Sequence, residues 1–265
     1  MPITVPEFNA ISHKVITLMG MSGVGKTYLS CLLAKQGWFH YSCDLEIGTR
    51  LMGDEIVQTL SRSSGTIRLN TITAEDLSML SEYVGRLGNP AHGGLPLAEF
   101  KRRQKKYYDA ECQSLRDLPT IVKQAHAKGF TQVVNDSTGS LCEIDDETLI
   151  ASIDESSLIV YIKANAQEEQ NVLRRAQEYP KPMFFSPERF DFWVETYLSD
   201  RGLSSSDHMN ADDFSRWVFP RLFENRLPKY QRIADTYGVT IPSEAFHGVQ
   251  TSDDFLKIII DHLPG

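Results

Sequence analysis

Short runs of apolar, often β-branched residues recur along the chain, and longer stretches with apolar residues at helical spacing separate them. Runs of the first kind predict strands, and five are present: 15–19, 38–42, 130–135, 157–163 and 239–241. The stretches at 26–36 and about 97–128 predict helices, and Thr251 or Ser252 could cap a last one. Strands that alternate with helices predict an α/β fold, with a five-stranded parallel sheet between two helical layers.

Two stretches interrupt this alternation and look like insertions. Residues 85–96 are rich in glycine and proline, as loops are, and they lead into a helix with a basic run at 101–106. Residues 180–210 are rich first in aromatic residues and then in serine and aspartate. That composition favours a mobile cover over a core element, with the aromatic side chains of 184–193 packed against the body of the protein.

Composition and charge exclude several classes of protein. Of the 265 residues, 41% are hydrophobic and 23% are charged, which is the balance of an ordinary globular protein. A net charge of −8 argues against a surface that binds nucleic acid or anionic membrane over its whole area. The four cysteines are scattered, residues 1–13 lack the pattern of a signal peptide, and no segment has the ~20 apolar residues of a membrane span. We therefore expect a cytoplasmic protein with reduced thiols.

The first predicted strand leads into a loop with the pattern G-x-x-x-x-G-K-T, formed by Gly20, Met21, Ser22, Gly23, Val24, Gly25, Lys26 and Thr27. Glycines let such a P-loop wrap around phosphate groups and point main-chain N–H groups at them, in front of a helix N-terminus. The lysine then reaches the β- and γ-phosphates, and the threonine hydroxyl ligates Mg²⁺. A chance match in a turn is the alternative, but the strand before and the helix after are the context that a P-loop requires. We predict that the chain binds a purine nucleoside triphosphate, namely ATP with Mg²⁺.

A metal ion bound with phosphates also needs a carboxylate nearby, and Asp136 stands at the end of the third predicted strand. Ligands of parallel α/β sheets bind at the carboxyl ends of the strands, which makes Asp136 a candidate metal ligand of the Walker B type. The alternative interpretation is a turn aspartate, because the segment 135–139 (Asn-Asp-Ser-Thr-Gly) consists of residues that favour turns.

Four motifs carry a resemblance to a known family, and the P-loop is the first. Residues 41–47 (Tyr-Ser-Cys-Asp-Leu-Glu-Ile) are similar to a D-x-D-x-x-I motif after the second strand, with Asp44 as the later aspartate. After the fourth strand, Arg174 is followed seven residues later by Lys181, in the spacing of a lid motif. Residues 224–230 (Glu-Asn-Arg-Leu-Pro-Lys-Tyr) are similar to an R-x-P-x-Y helix. On these motifs the chain resembles the shikimate kinase-like branch of the nucleoside-monophosphate-kinase-type P-loop kinases.

The resemblance implies one P-loop kinase-like domain over 1–265, with a helical insertion at about 54–128 and a lid insertion at about 174–212. It implies that Asp44 orients the acceptor hydroxyl and that Arg174 and Lys181 belong to the lid. By the same resemblance, Arg226 contacts an acidic substrate, and Gly139 falls near the substrate loop of the family.

Two further arginines are candidate site residues. Arg175 would share with Arg174 the neutralisation of charge on the transferring phosphoryl group. Arg50 could hold an anionic group of the acceptor, or it could be a surface arginine on a helix.

The chain also departs from the family pattern. It is much longer than members of the family, and Ser42 replaces the earlier aspartate of the D-x-D motif. The second lid arginine is replaced by Lys181, which keeps the charge but loses the bidentate fork. The paired glycines after the third strand are replaced by residues 136–140 (Asp-Ser-Thr-Gly-Ser). We therefore expect an acceptor other than shikimate.

These observations predict a kinase that transfers the γ-phosphate of ATP to a hydroxyl of a small, anionic metabolite, without a membrane partner. One alternative is an ATPase or nucleotide-dependent switch whose insertions hold a protein partner, for which Asp136 rather than Asp44 would be the indispensable carboxylate. Another is a kinase of nucleotides or nucleic-acid ends that uses the basic run 101–106 as a groove. Basic runs on helices are more often solvated faces, which disfavours a nucleic-acid partner.

Overall fold

The computed structural model describes residues 3–64 and 78–265 and has an α/β architecture. Its parallel sheet has five strands in the order β2-β3-β1-β4-β5. The strands are β1 (Val15–Met19), β2 (Phe39–Ser42), β3 (Val133–Asp136), β4 (Leu158–Lys163) and β5 (Gly238–Pro242). Every neighbouring pair is parallel, which confirms the fold class predicted from the alternation of strands and helices.

Helices connect the strands. In the described residues the α-helices are α1 (Val5–Ala10), α2 (Lys26–Ala34), α3 (Cys43–Glu46), α4 (Gly53–Ser64), α5 (Ser78–Val84), α6 (Leu97–Arg116), α7 (Leu118–Ala127), α8 (Glu147–Ser156), α9 (Ala166–Glu178), α10 (Pro187–Arg201), α11 (Ala211–Tyr237) and α12 (Ser252–His262). No helix within residues 3–64 and 78–265 combines the length and the apolar character that crossing a membrane requires.

Three element boundaries depend on identifiable residues. The stretch predicted as one helix at 97–128 is two, α6 and α7, because Pro119 lies near the start of α7, where proline begins a helix rather than continuing one. The third strand starts later than predicted and includes Asp136, because its pairing with β1 and β2 extends to that residue. Thr251 caps α12 as predicted: its hydroxyl oxygen accepts a hydrogen bond from the Asp254 N–H at 3.1 Å.

The chain folds into two compact units. The first consists of Met1–Cys43, Cys112–Gln170 and Leu227–Gly265, and it contains the whole sheet. The second consists of Asp44–Glu111 and Asn171–Arg226. Part of the predicted helical insertion, 65–77, lies outside the described residues, and the division into one domain with two insertions stays a prediction.

The core of the first unit lies on one face of the sheet. Side chains two residues apart along a strand share a face, and buried residues of this kind recur on four strands. They pack against the apolar sides of α2 and α12 and against Trp38 and Phe8. The strand and helix residues of this core are Ile16, Leu18, Val134, Val160, Ile162, Val239, Ile241, Leu29, Leu33, Phe255 and Ile259.

A buried polar network occupies the opposite face of the same strands. The Thr17 hydroxyl of β1 lies 2.7 Å from the Ser157 hydroxyl, and the Asn135 amide of β3 donates to Thr17 Oγ1 at 3.2 Å. The Cys43 thiol, directly after β2, donates to Asn135 Oδ1 at 3.2 Å. Because buried polar groups are costly when they lack partners, this chain of bonds favours one register of β1, β3 and the residues after β2.

The second unit has its own aromatic core. Phe185, Phe190 and Trp193 are buried with Phe100 and Phe214 in one cluster. The composition of residues 180–210 predicted a mobile cover. The structure instead has helix α10 within this stretch, and most of the aromatic side chains of α10 contribute to the core of the second unit. Burial of such large apolar surfaces explains the difference, since each stabilises the fold by a few kcal/mol. Phe192 is the exception, because 58% of it is exposed and it does not pack as predicted.

Carboxylates pair with the basic run 101–106. Lys101 Nζ lies 2.6 Å from Asp191, Lys105 Nζ lies 2.7 Å from Asp109, and Lys106 Nζ lies 3.7 Å from Glu55. The two arginines of the run, Arg102 and Arg103, share Glu99 at 2.8 and 2.7 Å. This mutual neutralisation agrees with the interpretation of the run as a solvated face and weakens the case for a nucleic-acid groove.

Glu99 should make the stability of the second unit dependent on acid pH. Hydrogen bonds from Arg102 and then from Arg103 hold the pKa of Glu99 at about 2, below its ordinary value of 4.5. A depressed folded-state pKa contributes stability that is present above about pH 4.5 and is lost as the pH falls through about 2. We expect Glu99→Gln to destabilise the protein by about 1 kcal/mol at pH 7 and to have little effect near pH 2, as measured by thermal unfolding.

Glu178→Gln is the matched control for this prediction. Glu178 is an exposed carboxylate whose nearest arginine nitrogen, on Arg174, lies 3.5 Å away. We expect the control to unfold like the wild type at both pH values. An equal difference between Glu99→Gln and the wild type at pH 7 and at pH 2 would contradict the role assigned to Glu99.

Candidate nucleotide-binding site

The loop between β1 and α2 adopts a conformation that only glycines take readily. Gly20, Gly23 and Gly25 have φ angles of +150°, +93° and +97°, within the range that L-residues avoid. A side chain at Gly20 would also place its Cβ 2.8 Å from the carbonyl oxygen of Ile162. The glycines of the G-x-x-x-x-G-K-T pattern are therefore required by the backbone itself, independently of any ligand.

Lys26 lies at the centre of this loop with its side chain folded into it. The residue is only 7% exposed, and its ammonium group donates to the carbonyl oxygens of Gly20 at 2.8 Å and Met21 at 3.2 Å. The helical hydrogen bonds of α2 begin with Leu29 N–H to Gly25 O at 2.9 Å. The N–H groups of residues 26–28 thus precede the bonded part of the helix and form its positive end, beside the buried ammonium group.

Asp136 ends β3 beside the strand that carries the loop. It pairs with Leu18 of β1 and with Ser42 of β2, and its side chain is 6% exposed. The Ser137 hydroxyl donates to the Leu18 carbonyl oxygen at 2.7 Å, which fixes the direction of the chain as it leaves the strand. His40 Nε2 lies 3.8 Å from Asp136 Oδ2. A buried carboxylate is therefore fixed at the carboxyl edge of the sheet, where α/β proteins bind their ligands.

This unit offers oxygen donors of the kind that Mg²⁺ takes when it is bound together with phosphate. No group of three or more His, Cys, Asp or Glu residues in the described parts of the chain could hold a metal ion. Thr27 is an exposed residue in the first turn of α2 and carries a hydroxyl, and Asp136 offers carboxylate oxygens. Mg²⁺ prefers oxygen donors and commonly takes one or two from protein and the rest from phosphates and water.

The loop after β3 contacts the P-loop. A Cβ on Gly139 would lie 2.5 Å from Ser22 Oγ and 3.3 Å from Ser22 N, so glycine is the residue that permits this approach. The Tyr230 hydroxyl of α11 donates to the Gly139 carbonyl oxygen at 2.5 Å. The structure thus brings Gly139, a substrate residue suggested by the family resemblance, next to the predicted phosphate-binding residues.

Two further contacts from α11 support the loop after β3. The Tyr230 ring stacks on Tyr161 of β4 with centroids 5.4 Å apart, and burial raises the pKa of Tyr161 to about 12, so the Tyr161 hydroxyl stays neutral near pH 7. Lys229 Nζ lies 2.6 Å from Glu143, whose side chain is 1% exposed. Sequence analysis did not identify Glu143 or His40. His40 lies within β2 and Glu143 in the segment that follows β3, and only the contacts made by the fold distinguish them from ordinary polar residues.

The remaining site candidates belong to the second unit. Arg226 Nη2 donates to the Phe184 carbonyl oxygen at 2.8 Å, and Arg50 pairs with Glu46, so each arginine has a structural partner within the unit. On α9, Arg175 Nε donates to the Asn171 carbonyl oxygen at 3.4 Å, and Arg174 faces Glu178 at 3.5 Å. Lys181 is exposed three residues after α9, and Asp44 lies in the first turn of α3. Their roles as site residues stay predictions.

Gly139→Ala should weaken ATP binding through the P-loop. The added methyl group would lie 2.5 Å from Ser22 Oγ and must displace one of the two loops, and overpacking of this kind costs roughly 1–3 kcal/mol. We expect the Kd for ATP in isothermal titration calorimetry to rise about tenfold. Ser22→Ala removes the oxygen that the methyl group meets and leaves the main-chain N–H in place.

The double variant Gly139→Ala/Ser22→Ala should therefore recover most of the lost affinity, with Ser22→Ala alone close to the wild type. Wild-type affinity in Gly139→Ala would show that the contact does not restrain the P-loop. Equal weakening in the single and the double variant would show that the methyl group acts elsewhere.

Comparisons with known proteins gave structural matches only. No family model matches the chain, and no curated protein matches it. The chain is similar in structure to shikimate kinase from Bacteroides thetaiotaomicron, with 14% identity, a TM-score of 0.33 and coverage of 84% of this chain and 97% of that one. It is also similar to shikimate kinase from Acinetobacter baumannii, in complex with shikimate, with 14% identity, a TM-score of 0.33 and coverage of 84% and 99%.

A third similar structure is shikimate kinase from Aquifex aeolicus, with 10% identity, a TM-score of 0.26 and coverage of 80% of this chain and 98% of that one. At these identities and TM-scores the three structures identify neither an activity nor a substrate, which must come from the chain's own residues.

Proposed function

We propose that the protein is an ATP-dependent phosphotransferase that acts on a hydroxyl group of a small, anionic metabolite. The observation that carries the proposal is the P-loop of the first unit, with Lys26 buried in it and the Asp136 carboxylate fixed at the end of the adjacent strand. All four cysteines are free thiols, as suits a protein of the reducing cytoplasm. We further propose one kinase-like domain over 1–265, with an insertion at about 54–128 and a lid at about 174–212.

The P-loop supplies the binding of ATP in this proposal. Main-chain N–H groups of residues 20–27 surround the phosphates, and the Lys26 ammonium group exchanges its loop carbonyls for β- and γ-phosphate oxygens. The Thr27 hydroxyl and the Asp136 carboxylate hold Mg²⁺. When bound, the metal ion neutralises charge on the phosphoryl group that is transferred.

Asp44 orients the acceptor hydroxyl and takes its proton. Support comes from chain order, because Asp44 follows Ser42 by two residues and Ser42 lies opposite Asp136 in the sheet. As the acceptor oxygen bonds to the γ-phosphorus, the bond from that phosphorus to the β,γ-bridging oxygen breaks and ADP leaves. The hydroxyl proton passes to the Asp44 carboxylate.

Cationic side chains of the second unit have two roles in the proposal. Arg174, Arg175 and Lys181 stabilise negative charge on the transferring group and exclude water, which limits hydrolysis of ATP. Arg226 and Arg50 bind the anionic group of the acceptor. Gly139 contributes main chain to the acceptor site, consistent with its approach to the P-loop in the first unit.

The proposal is tested by following the γ-phosphate. Purified protein is incubated with γ-labelled ATP and a desalted metabolite extract, and the products are separated. We expect the label in a small, anionic organic product. Asp44→Asn should lower this transfer at least about 100-fold, because it removes the proton acceptor, while the Kd for ATP changes little. Lys26→Ala should abolish ATP binding.

Asp54→Asn is the matched control, since Asp54 is an exposed aspartate ten residues further along, in the first turn of α4. It should transfer phosphate like the wild type. Label that appears only as free phosphate, at the same rate in Asp44→Asn, would reject the kinase in favour of an ATPase. Label in polynucleotide would instead identify a nucleic-acid-end kinase.

A further inference from the structure

A large aromatic side chain stands exposed beside the P-loop. Tyr28 directly follows Thr27 in the first turn of α2, and 66% of it is accessible to solvent. Among the described residues of the first unit, the other exposed large apolar side chain is Ile11, which is 40% exposed and lies in the segment that follows α1. Most other aromatic side chains of this unit are at least partly buried, so Tyr28 stands apart in both its exposure and its position.

The position of Tyr28 in α2 indicates which phosphate of a bound triphosphate would lie nearest to it. Its N–H belongs to the group at residues 26–28 that precedes Leu29, the first residue to donate a helical bond in α2. Such N–H groups cradle the α- and β-phosphates in a P-loop, whereas the lysine side chain reaches the β- and γ-phosphates. Tyr28 comes last in this group, beyond Lys26 and Thr27. Its N–H is therefore suited to the α-phosphate, the phosphate to which the nucleoside is attached.

We propose that Tyr28 is a nucleotide-binding residue whose ring packs against the base of the bound nucleoside triphosphate. This inference rests on the proposed binding of ATP by the P-loop and extends it from the phosphates to the nucleoside. Every base offers a π-face, so the contact adds affinity for nucleoside triphosphates over free polyphosphate and discriminates little between bases. In this proposal the P-loop binds the phosphates, and the Tyr28 ring, directly after the P-loop, contacts the base.

An exposed thiol provides an internal probe of the same helix face. Cys31 is exposed, whereas Cys43, Cys112 and Cys142 are buried. Residues three apart on a helix are neighbours, and side chains lean towards the helix N-terminus, so the Cys31 thiol points towards the turn that carries Tyr28. A base held by Tyr28 should therefore shield Cys31 from a thiol reagent, and free polyphosphate should not.

The test compares ATP with inorganic tripolyphosphate, both in the presence of Mg²⁺. Their Kd values are measured by isothermal titration calorimetry for the wild type, Tyr28→Ala and Tyr28→Phe. We expect Tyr28→Ala to weaken ATP binding about tenfold and to leave tripolyphosphate binding unchanged, because only the contact to the base is lost. Tyr28→Phe keeps the ring and should bind ATP like the wild type. Ile11→Ala removes another exposed apolar side chain of the first unit, 40% accessible and in the segment that follows α1, and serves as the control.

The second readout is the rate at which an aromatic disulfide reagent modifies Cys31. The Cys31 thiolate attacks the reagent, a mixed disulfide forms, and the aromatic thiolate leaves and is measured by its absorbance. ATP should slow this reaction several-fold in the wild type, and tripolyphosphate should not. For each variant, protection is the ratio of the Cys31 modification rates without and with ligand. In Tyr28→Ala the protection given by ATP should fall to the protection given by tripolyphosphate.

The outcomes separate the two proposals. If Tyr28→Ala binds ATP and tripolyphosphate like the wild type, the Tyr28 assignment is wrong while the P-loop proposal stands. If Tyr28→Ala weakens both ligands equally, Tyr28 affects the phosphate site and does not contact the base. If the wild type binds neither ligand, both proposals fail. Phosphate transfer to an acceptor is not needed for either readout, so the identity of the kinase substrate does not affect the result.

Discussion

A buried ammonium group inside a loop of main-chain dipoles is the interaction on which the first unit depends. Lys26 bonds to two carbonyl oxygens of its own loop, and those bonds define the curvature of the loop as well as the place of the charge. Carbonyl oxygens carry partial negative charge, whereas phosphate oxygens carry formal charge, so an entering polyphosphate competes favourably for the same ammonium group. The glycines at 20, 23 and 25 are what allow the backbone to close around it.

The sheet places the Asp136 carboxylate beside the strand that leads into this loop. Parallel pairing sets Leu18 opposite Asp136 and places Ser42 opposite the same residue, so the ends of three strands lie at one level. The buried bonds among Thr17, Asn135 and Cys43 favour that register from the opposite face. A shift by one residue would bury the wrong side chains on both faces at once. The placement of the Asp136 carboxylate therefore follows from core packing as much as from any requirement of the ligand.

Whether the sequence alone predicts a feature of the structure depends on how far apart along the chain the interacting residues lie. The P-loop was recognisable because its eight residues are contiguous and each has a defined backbone or chemical role. The strands and the cap of α12 were recognisable for the same reason. The bond from Tyr230 to Gly139 joins residues 91 apart, and that from Lys229 to Glu143 joins residues 86 apart. Pairs of residues so far apart in the sequence produce no local sequence pattern from which their contact could be predicted. Likewise, the aromatic residues at 184–193 indicated that their side chains would be buried. The sequence did not indicate that Phe100 and Phe214 would be the residues against which they pack.

The central position of β1 also has a consequence for how the protein is made. Thr17 of β1 bonds to Asn135 of β3, which is 118 residues later in the chain. During synthesis the strand that leads into the phosphate-binding loop therefore leaves the ribosome long before either of its neighbours exists. Contacts between residues so far apart form slowly, because the entropy of closing the intervening chain opposes them. Until β3 and β4 are made, an apolar strand has two unpaired edges, and unpaired edges of this kind are where incompletely folded chains aggregate.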